Sequence, residues 1–238
     1  MIQYERQQHI LSILQQRGTA SVRALSAAVF ASEASVRRDI EVLEKQGYVK
    51  RIYGGVMISR HENSVIPLDL RDPEHSTVKE QLAQRAASLV GDGATVLIDA
   101  SSTTRRILRY LDRKRDLRII TNNLRLLQEA QDPAIQLYGT GGAYDLTNHA
   151  FVGPAAEAYV RGISADIFFF SSQGITEDGE ITDVSEEETS LRRVMLSRAK
   201  HRIFLCDSSK IGIRRVFTLC TRHDVDEIIC DVPRPWEG

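Results

Sequence analysis

Four short stretches gather hydroxyl, amide, glycine and lysine residues directly after runs of strand-forming residues. Asp99-Ala100-Ser101-Ser102-Thr103-Thr104 follows ATVLI, and Thr121-Asn122-Asn123 follows RII. Gly139-Thr140-Gly141-Gly142 follows IQLY, and Asp207-Ser208-Ser209-Lys210 follows RIFLC. Hydroxyls and backbone N–H groups past the carboxyl end of a strand, where a helix begins, hold anions well. Glycine lets backbone approach a ligand closely, and lysine offers phosphate a point charge. If the strands lie in one parallel sheet, the four stretches share one rim. The glycine stretch has a plain alternative, because Tyr144 stands where a dinucleotide fingerprint has its third glycine and a tight turn explains it equally well.

A different chemistry occupies residues 1–56, which carry eight Lys or Arg against five acids while the whole chain sums to −1. The asymmetry points to an anionic partner for this segment. Arg37 and Arg38 sit on a stretch of helical periodicity, and arginine grips guanine O6 and N7 with paired hydrogen bonds. Ser35, one turn into that helix, offers a hydroxyl to phosphate or a base edge, and Ser32 stands where an N-cap belongs. Lys50 and Arg51 lie on a following hairpin and suit phosphate, which positions without reading sequence. A small interaction module with a solvated basic face fits the same periodicity.

Periodicity outlines the elements that position these groups. Ile10, Ile13 and Leu14, then Leu25 and Val29, recur at helical spacing across a break at Gly18-Thr19, and a third helix from Ser32 buries Val36, Ile40 and Leu43 before Gly47 ends it. YVKRIYGGV alternates and turns on Gly54-Gly55, as a two-stranded wing does. Three helices and a wing suit a DNA major groove. Residues 57–77 are polar with two prolines and are expected to form a linker. From residue 78 to 238, apolar runs of strand length alternate with helical segments, the βαβ pattern of a mostly parallel sheet. The fold class is α/β, with a small winged helix-turn-helix domain followed by a larger parallel-sheet domain.

Other residues carry plainer readings. Cys206, Cys220 and Cys230 are odd in number and form no CxxC pair, so they are expected to be reduced, mostly buried thiols. The six histidines form no metal-ligand or triad spacing, and no cofactor, metal or nucleophilic catalysis is expected. Glu186, Glu187 and Glu188 follow Ser185 as a capping box. The basic run from residue 105 to 118 reads as a solvated helix face, with Arg105 and Arg106 able to reach an anionic ligand. Phe168, Phe169 and Phe170 read as a strand buried on both faces. No apolar run is long enough to span a bilayer and the start lacks a signal-peptide core, so a cytoplasmic protein without a membrane partner is expected.

From Arg6 through Ile10, Leu14, Ser32, Ser35 and Val36-Arg37-Arg38-Asp39-Ile40, the spacing resembles the helix-turn-helix of the DeoR family of bacterial transcriptional repressors. Ser35 replaces the usual threonine, and Asp39 is assigned to a structural salt bridge or cap. From Lys79 through DASSTT, TNN, GTGG, Val152-Gly153, Ala165-Asp166, Gly174 and DSSK, the chain resembles that family's sugar-phosphate sensor, with Ser101 in place of a common glycine. The resemblance implies a fold akin to ribose-phosphate isomerase and glucosamine-phosphate deaminase, double-stranded operator DNA as a partner, and a phosphorylated sugar effector. It implies a ligand held by Ser101, Ser102, Thr103, Thr104, Thr121, Asn122, Gly141, Gly142 and Lys210. Asp99 and Asp207 would orient hydroxyls or loop backbone, and Lys79 would add a second phosphate contact. A homo-oligomer, dimer or tetramer, is expected because such DNA sites are read by paired subunits. Related isomerases carry an acidic turn where this chain has Phe170-Ser171-Ser172-Gln173, so binding without turnover is expected. The alternatives are an isomerase-like enzyme with an appended DNA-binding domain and a non-catalytic interaction module.

Overall fold

Gly18 takes φ 75° and ends the first helix, α1 (Gln3–Arg17), in a computed structural model that describes all residues except 1, 46–47, 59–66, 113, 131 and 234–238. After strand β1 (Thr19–Ala20), helix α2 (Val22–Ala28) starts where the Ser21 hydroxyl accepts from the Ala24 amide at 3.1 Å. Ser32 caps α3 (Glu33–Lys45) in the same way, accepting from the Ser35 amide at 3.2 Å. Each cap satisfies an amide that the helix itself leaves unpaired. The expected stop at Gly47 lies outside the described residues. Strands β2 (Val49–Ile52) and β3 (Gly55–Ile58) form the wing, and β1 adds to it in the order β1-β3-β2. Glycine is required at 55 because a Cβ there would stand 2.4 Å from the Ala20 carbonyl oxygen. Val36, Ile40 and Leu43 meet Ile10, Leu11, Leu14, Leu25, Val29, Val49 and Val56 in one core.

Within that core lies one ion pair. Asp39 is fully buried and accepts from Arg6 at 2.5 Å and from Gln7 at 3.3 Å, tying α1 to α3. The bond and charge of Asp39 raise the Arg6 pKa further above its usual value. The sequence assignment of Asp39 to a structural bridge matches this geometry.

The chain divides into units Met1–Leu70 and Arg71–Gly238. The described residues at both ends of the stretch expected to be a linker carry secondary structure. The wing runs on to Ile58, helix α4 spans Leu68–Arg71, and α5 (Ser76–Ser88) begins before residue 78. A β3 partner fixes the first of these, and an apolar face on Leu82, Ala83 and Ala86 fixes the last.

The second unit continues through β4 (Thr95–Ile98), a 3-10 helix (Thr104–Tyr110), β5 (Arg118–Thr121), α6 (Leu124–Glu129) and β6 (Gln136–Gly139). A hairpin of β7 (Ala143–Asp145) and β8 (Ala150–Val152) leads into α7 (Pro154–Arg161) and β9 (Ala165–Phe170). Then come β10 (Gly174–Ile175), β11 (Glu180–Asp183), α8 (Glu186–Arg198), β12 (Ala199–Cys206), β13 (Phe217–Thr221) and β14 (Glu227–Cys230). Six strands form a parallel sheet in the order β14-β12-β9-β4-β5-β6. Alternation sends Val96, Ile98 and Phe169 to the layer of α5, and Leu97, Phe168 and Phe170 to the layer of α7 and α8. All three phenylalanines are buried, as the sequence indicated.

Two departures from the sequence reading stand out. A small antiparallel sheet, β10-β11-β13, accompanies the parallel one, its first strand too short to leave a pattern. The basic run from 105 to 118 is not one solvated helix: the 3-10 helix ends at Tyr110, Arg118 opens β5, and Arg105 and Arg106 are buried. Partners explain their burial. Arg105 pairs with Asp72 at 2.6 Å and with Glu129, and Arg106 pairs with Glu80 at 2.6 Å and Asp72 at 3.1 Å.

Removing Arg6 leaves Asp39 buried without its cation. Arg6→Ala is expected to destabilise the first unit by about 3 kcal/mol, the low end of the range for broken buried pairs because Arg6 keeps some solvent access. Urea unfolding followed by circular dichroism reads this loss.

Candidate functional site

In the first unit, α3 presents Arg37 and Arg38 to solvent while its opposite face is buried. Arg37 lies 3.4 Å from Glu33, one turn back, an exposed pair that a phosphate or base edge can displace at little cost. Ser35 shares its hydroxyl with that of Ser32 at 3.0 Å, so Ser32 serves the helix start and Ser35 retains a rotatable group. Lys50 is exposed on β2, whereas Arg51 is held 2.6 Å from Glu44. A groove of about 510 Å³ runs between α3, the start of α2 and the wing, lined by Arg23, Arg37, Arg38 and Arg51 with Glu33 and Glu41. Arg23 was not singled out from the sequence, because its membership follows from the α2–α3 angle. Phe30, with φ 50°, and Tyr53 at the wing turn are almost wholly exposed.

In the second unit the chain leaves β4 toward β5 and β6, then returns to place β9 on the other side of β4. Strand order therefore reverses between β4 and β9, and ligands of open α/β sheets bind beyond the strand ends at such a point. Asp99 stands there, immediately after β4 and fully buried. Its carboxylate accepts from the Arg192 guanidinium at 2.7 Å, the Thr104 hydroxyl at 2.6 Å, the Ser171 amide at 3.2 Å and the Ser101 amide at 3.3 Å. Ser101 also caps the turn, its hydroxyl accepting from the Thr104 amide at 3.0 Å. The helix that follows is a seven-residue 3-10 helix, so its terminus offers an anion less than a full α-helix would.

Around Asp99 the other expected residues take distinct places. Ser102 is buried and its carbonyl accepts from Arg106 at 3.1 Å. The Thr103 hydroxyl and the Asn122 carbonyl oxygen are buried without a partner, although the Asn122 amide nitrogen donates to Phe151 at 3.1 Å. Buried polar atoms of this kind are costly unless something pairs with them. Thr121 is used by the sheet itself, donating to the Ile98 carbonyl at 2.7 Å and accepting from the Asn123 amide at 3.0 Å. Gly141 and Gly142 both have positive φ, and a Cβ on Gly142 would meet the Val152 carbonyl at 2.6 Å.

Lys210 reaches back from the turn after β12 to donate to the Ser171 hydroxyl at 2.8 Å, and lies 3.2 Å from Asp207. Burial would raise the Asp207 pKa, but the Lys210 charge, bonds from Ser209 and Lys210, and Lys79 hold it below the usual carboxylate range. Lys79, buried on α5, donates to the Arg71 carbonyl. Burial, and then the nearby charges of Lys210, Arg71 and Arg106, push its pKa down to about 8 in spite of Asp207. Cations packed this way favour an added anion.

Three residues matter more than the sequence suggested. Arg192 on α8 joins Asp99 to Asp183 at 3.1 Å and Glu188 at 3.5 Å, and these carboxylates raise its pKa. Ser185 caps α8 as expected, accepting from the Glu188 amide at 3.3 Å. Glu188 nevertheless turns inward: one carboxylate oxygen is buried without a partner, and burial pushes its pKa up to about 7. Only its spacing to Arg192 hinted at this. Arg71, which donates to Asn148 at 2.6 Å, lies in the stretch read as linker. Arg105 and Arg106, whose neutralising partners are given above, do not join the rim cations as free charges.

A raised Glu188 pKa means that the native state binds more protons than the unfolded chain between the ordinary glutamate value and about 7. Stability tied to this group is therefore present in acid and lost as pH rises through about 7. Glu188→Gln is expected to flatten that slope, so wild type compares better with the variant at pH 5 than at pH 8 in chemical denaturation.

Residues 6–62 match the DeoR-like helix-turn-helix domain, and residues 74–232 match the DeoR C terminal sensor domain. The HTH-type transcriptional regulator GolR of Listeria innocua is 30% identical over 97% of this chain and 91% of its own length. A putative aga operon transcriptional repressor of Escherichia coli O157:H7 is 29% identical over 95% of this chain and 86% of its own. Among solved structures, eIF2B delta from Chaetomium thermophilum superposes with a TM-score of 0.51 at 11% identity, covering 86% of this chain and 66% of that one. That likeness shows the α/β fold alone. Ribose 5-phosphate isomerase from Plasmodium falciparum overlays more loosely, at a TM-score of 0.42 and 15% identity over 57% of this chain and 52% of that one.

Proposed function

This chain belongs to the DeoR family of transcriptional regulators, and we propose that it represses a carbohydrate-utilisation operon under the control of a phosphorylated sugar. The names of its relatives support this reading, one of them a putative aga operon repressor. The observation that carries the effector class is the crowding of buried Lys79 against Lys210 and Arg71, in a unit where the Thr103 hydroxyl and the Asn122 carbonyl oxygen are buried without partners. A phosphate dianion relieves the cation crowding, and sugar hydroxyls donate to the unpaired oxygens. Lys210 and Lys79 hold the phosphate, while Ser101, Ser102, Thr103 and the Gly141-Gly142 turn shape the pocket floor. Asp99 and Asp207 orient hydroxyls and loop backbone. Glu188 reads a further hydroxyl through its unpaired oxygen.

In the first unit, Arg37 and Arg38 read base edges from the major groove, with Ser35 beside them, while Lys50, Arg51 and the Ser32 helix start meet phosphates. The active species on DNA is a homo-oligomer, because a palindromic operator presents two half-sites to paired recognition helices. A chain of this kind works in the cytoplasm, where operator and sugar phosphate meet.

A thermal-shift screen of sugar phosphates against the matching free sugars tests this reading. One phosphorylated compound is expected to raise the melting temperature, its free sugar is not, and Lys210→Ala is expected to lose most of the shift. Calorimetry with that compound is expected to show affinity falling as pH rises through about 8, because Lys79 loses its charge there in the free protein. A shift that is equal for free sugars or unchanged in Lys210→Ala overturns the assignment.

A further inference from the structure

Cys206 and Cys230 are distant in sequence, yet they close β12 and β14 and are direct partners in the parallel register of those strands. Neighbouring strands lie about 4.8 Å apart. That spacing falls inside the range of about 4.4–6.8 Å between Cα atoms that a disulfide spans. Both side chains enter the same core layer, where the Cys206 thiol donates to the Asp207 carbonyl at 3.4 Å and the Cys230 thiol to the Asp231 carboxylate at 3.6 Å. Each cysteine is the last residue of its strand, so a change there disturbs the end of the ladder rather than its middle.

We propose that Cys206 and Cys230 are an oxidisable dithiol that closes to an intramolecular disulfide when a hydroperoxide reaches Cys230. The two sulfurs are unequal in the way this reaction needs. The Cys206 side chain and the backbone amides of Val232 and Asp231 lower the Cys230 pKa to about 7 against burial and the Asp231 charge. The neighbouring Cys230 side chain, together with burial, raises the Cys206 pKa and keeps its proton in place. Cys206 is fully buried while Cys230 retains slight exposure, which makes Cys230 the point of attack. Its thiolate attacks the O–O bond, forming a sulfenic acid and, with a proton, an alcohol (water from hydrogen peroxide). The Cys206 thiol then attacks that sulfur, the S–S bond forms, and water leaves with the sulfenic oxygen. The hydroperoxide is reduced by two electrons, and the two thiols supply them.

Location gives the pair a consequence. Cys206 immediately precedes Asp207, and Asp231, immediately after Cys230, accepts from the Ser208 amide at 2.7 Å and the Ser208 hydroxyl at 2.9 Å. A disulfide ties the strand end that carries the Lys210 turn to the strand end whose Asp231 holds Ser208 of that turn. The third thiol, Cys220 on β13, is pushed up to about 12, first by burial and then by Asp224, and stays protonated.

The test uses the full chain, reduced and then exposed to hydrogen peroxide, followed by alkylation and peptide mapping. Two of the three thiols are expected to disappear into one linked peptide pair joining Cys206 to Cys230, which dithiothreitol releases. Cys206→Ser is expected to leave a sulfenic acid on Cys230 that dimedone traps, and Cys220→Ser is expected to change neither product. Full alkylation of Cys206 and Cys230 after peroxide overturns the proposal, as does a linkage through Cys220 or between two molecules. The wild-type map decides the matter even if a variant fails to fold, and it does so independently of any effector.

Discussion

The second unit is organised around the carboxylate of Asp99. It sits at the strand end where sheet order reverses, wholly out of water, and a bare charge there would be prohibitively costly. Four donors from three separate segments meet it: Ser101 and Thr104 from its own turn, Ser171 from the end of β9, and Arg192 from α8. Satisfying Asp99 therefore fixes the hydroxyl loop, the adjacent strand end and the helix that carries Glu188. Ser171, so placed, receives the Lys210 amine, which brings the turn after β12 into the same frame. The rim's polar groups are held by one buried hydrogen-bond network, and such networks are rigid when fully paired. The atoms left unpaired, on Thr103, Asn122 and Glu188, are where a ligand has partners to offer.

The first unit follows the same logic in smaller form. Asp39 is buried on the inner side of α3 and holds α1 through Arg6 and Gln7. The two neighbouring arginines of α3 face the opposite way, into solvent. An acid following two arginines in sequence thus serves the core, while they serve the surface, because successive helical residues are turned about 100° apart.

Much of this was legible in the sequence for a physical reason. The strand ends carrying Asp99, Asn122 and Lys210 follow strands that are buried toward those ends, Gly142 follows the largely exposed edge strand β6, and a parallel sheet puts all their carboxyl ends on one edge. Asp39 was legible because it shares the helical stripe of Val36 and Leu43, which turns it toward the core. What escaped notice depends on contacts between distant segments. Arg105 and Arg106 look solvated until Asp72, Glu80 and Glu129 are brought to them. Glu188 reads as a capping residue until α8 rolls it inward against Arg192. Cys206 and Cys230 share no motif, and only the β12–β14 register makes them neighbours. β1 has two residues, fewer than any alternation can reveal.

Under the proposed function, filling the Asp99 rim with the sugar phosphate changes the grip of α3 on DNA. Linkage is reciprocal, which makes it measurable from both ends. Fluorescence anisotropy of the full chain on a DNA fragment recovered by in vitro selection, with and without the stabilising sugar phosphate, gives one coupling factor. Titrating the sugar phosphate into the free and DNA-bound protein gives the other. The account predicts that DNA affinity changes on saturation and that the two factors agree. Unchanged DNA affinity at saturating sugar phosphate, with both ligands bound, would contradict it.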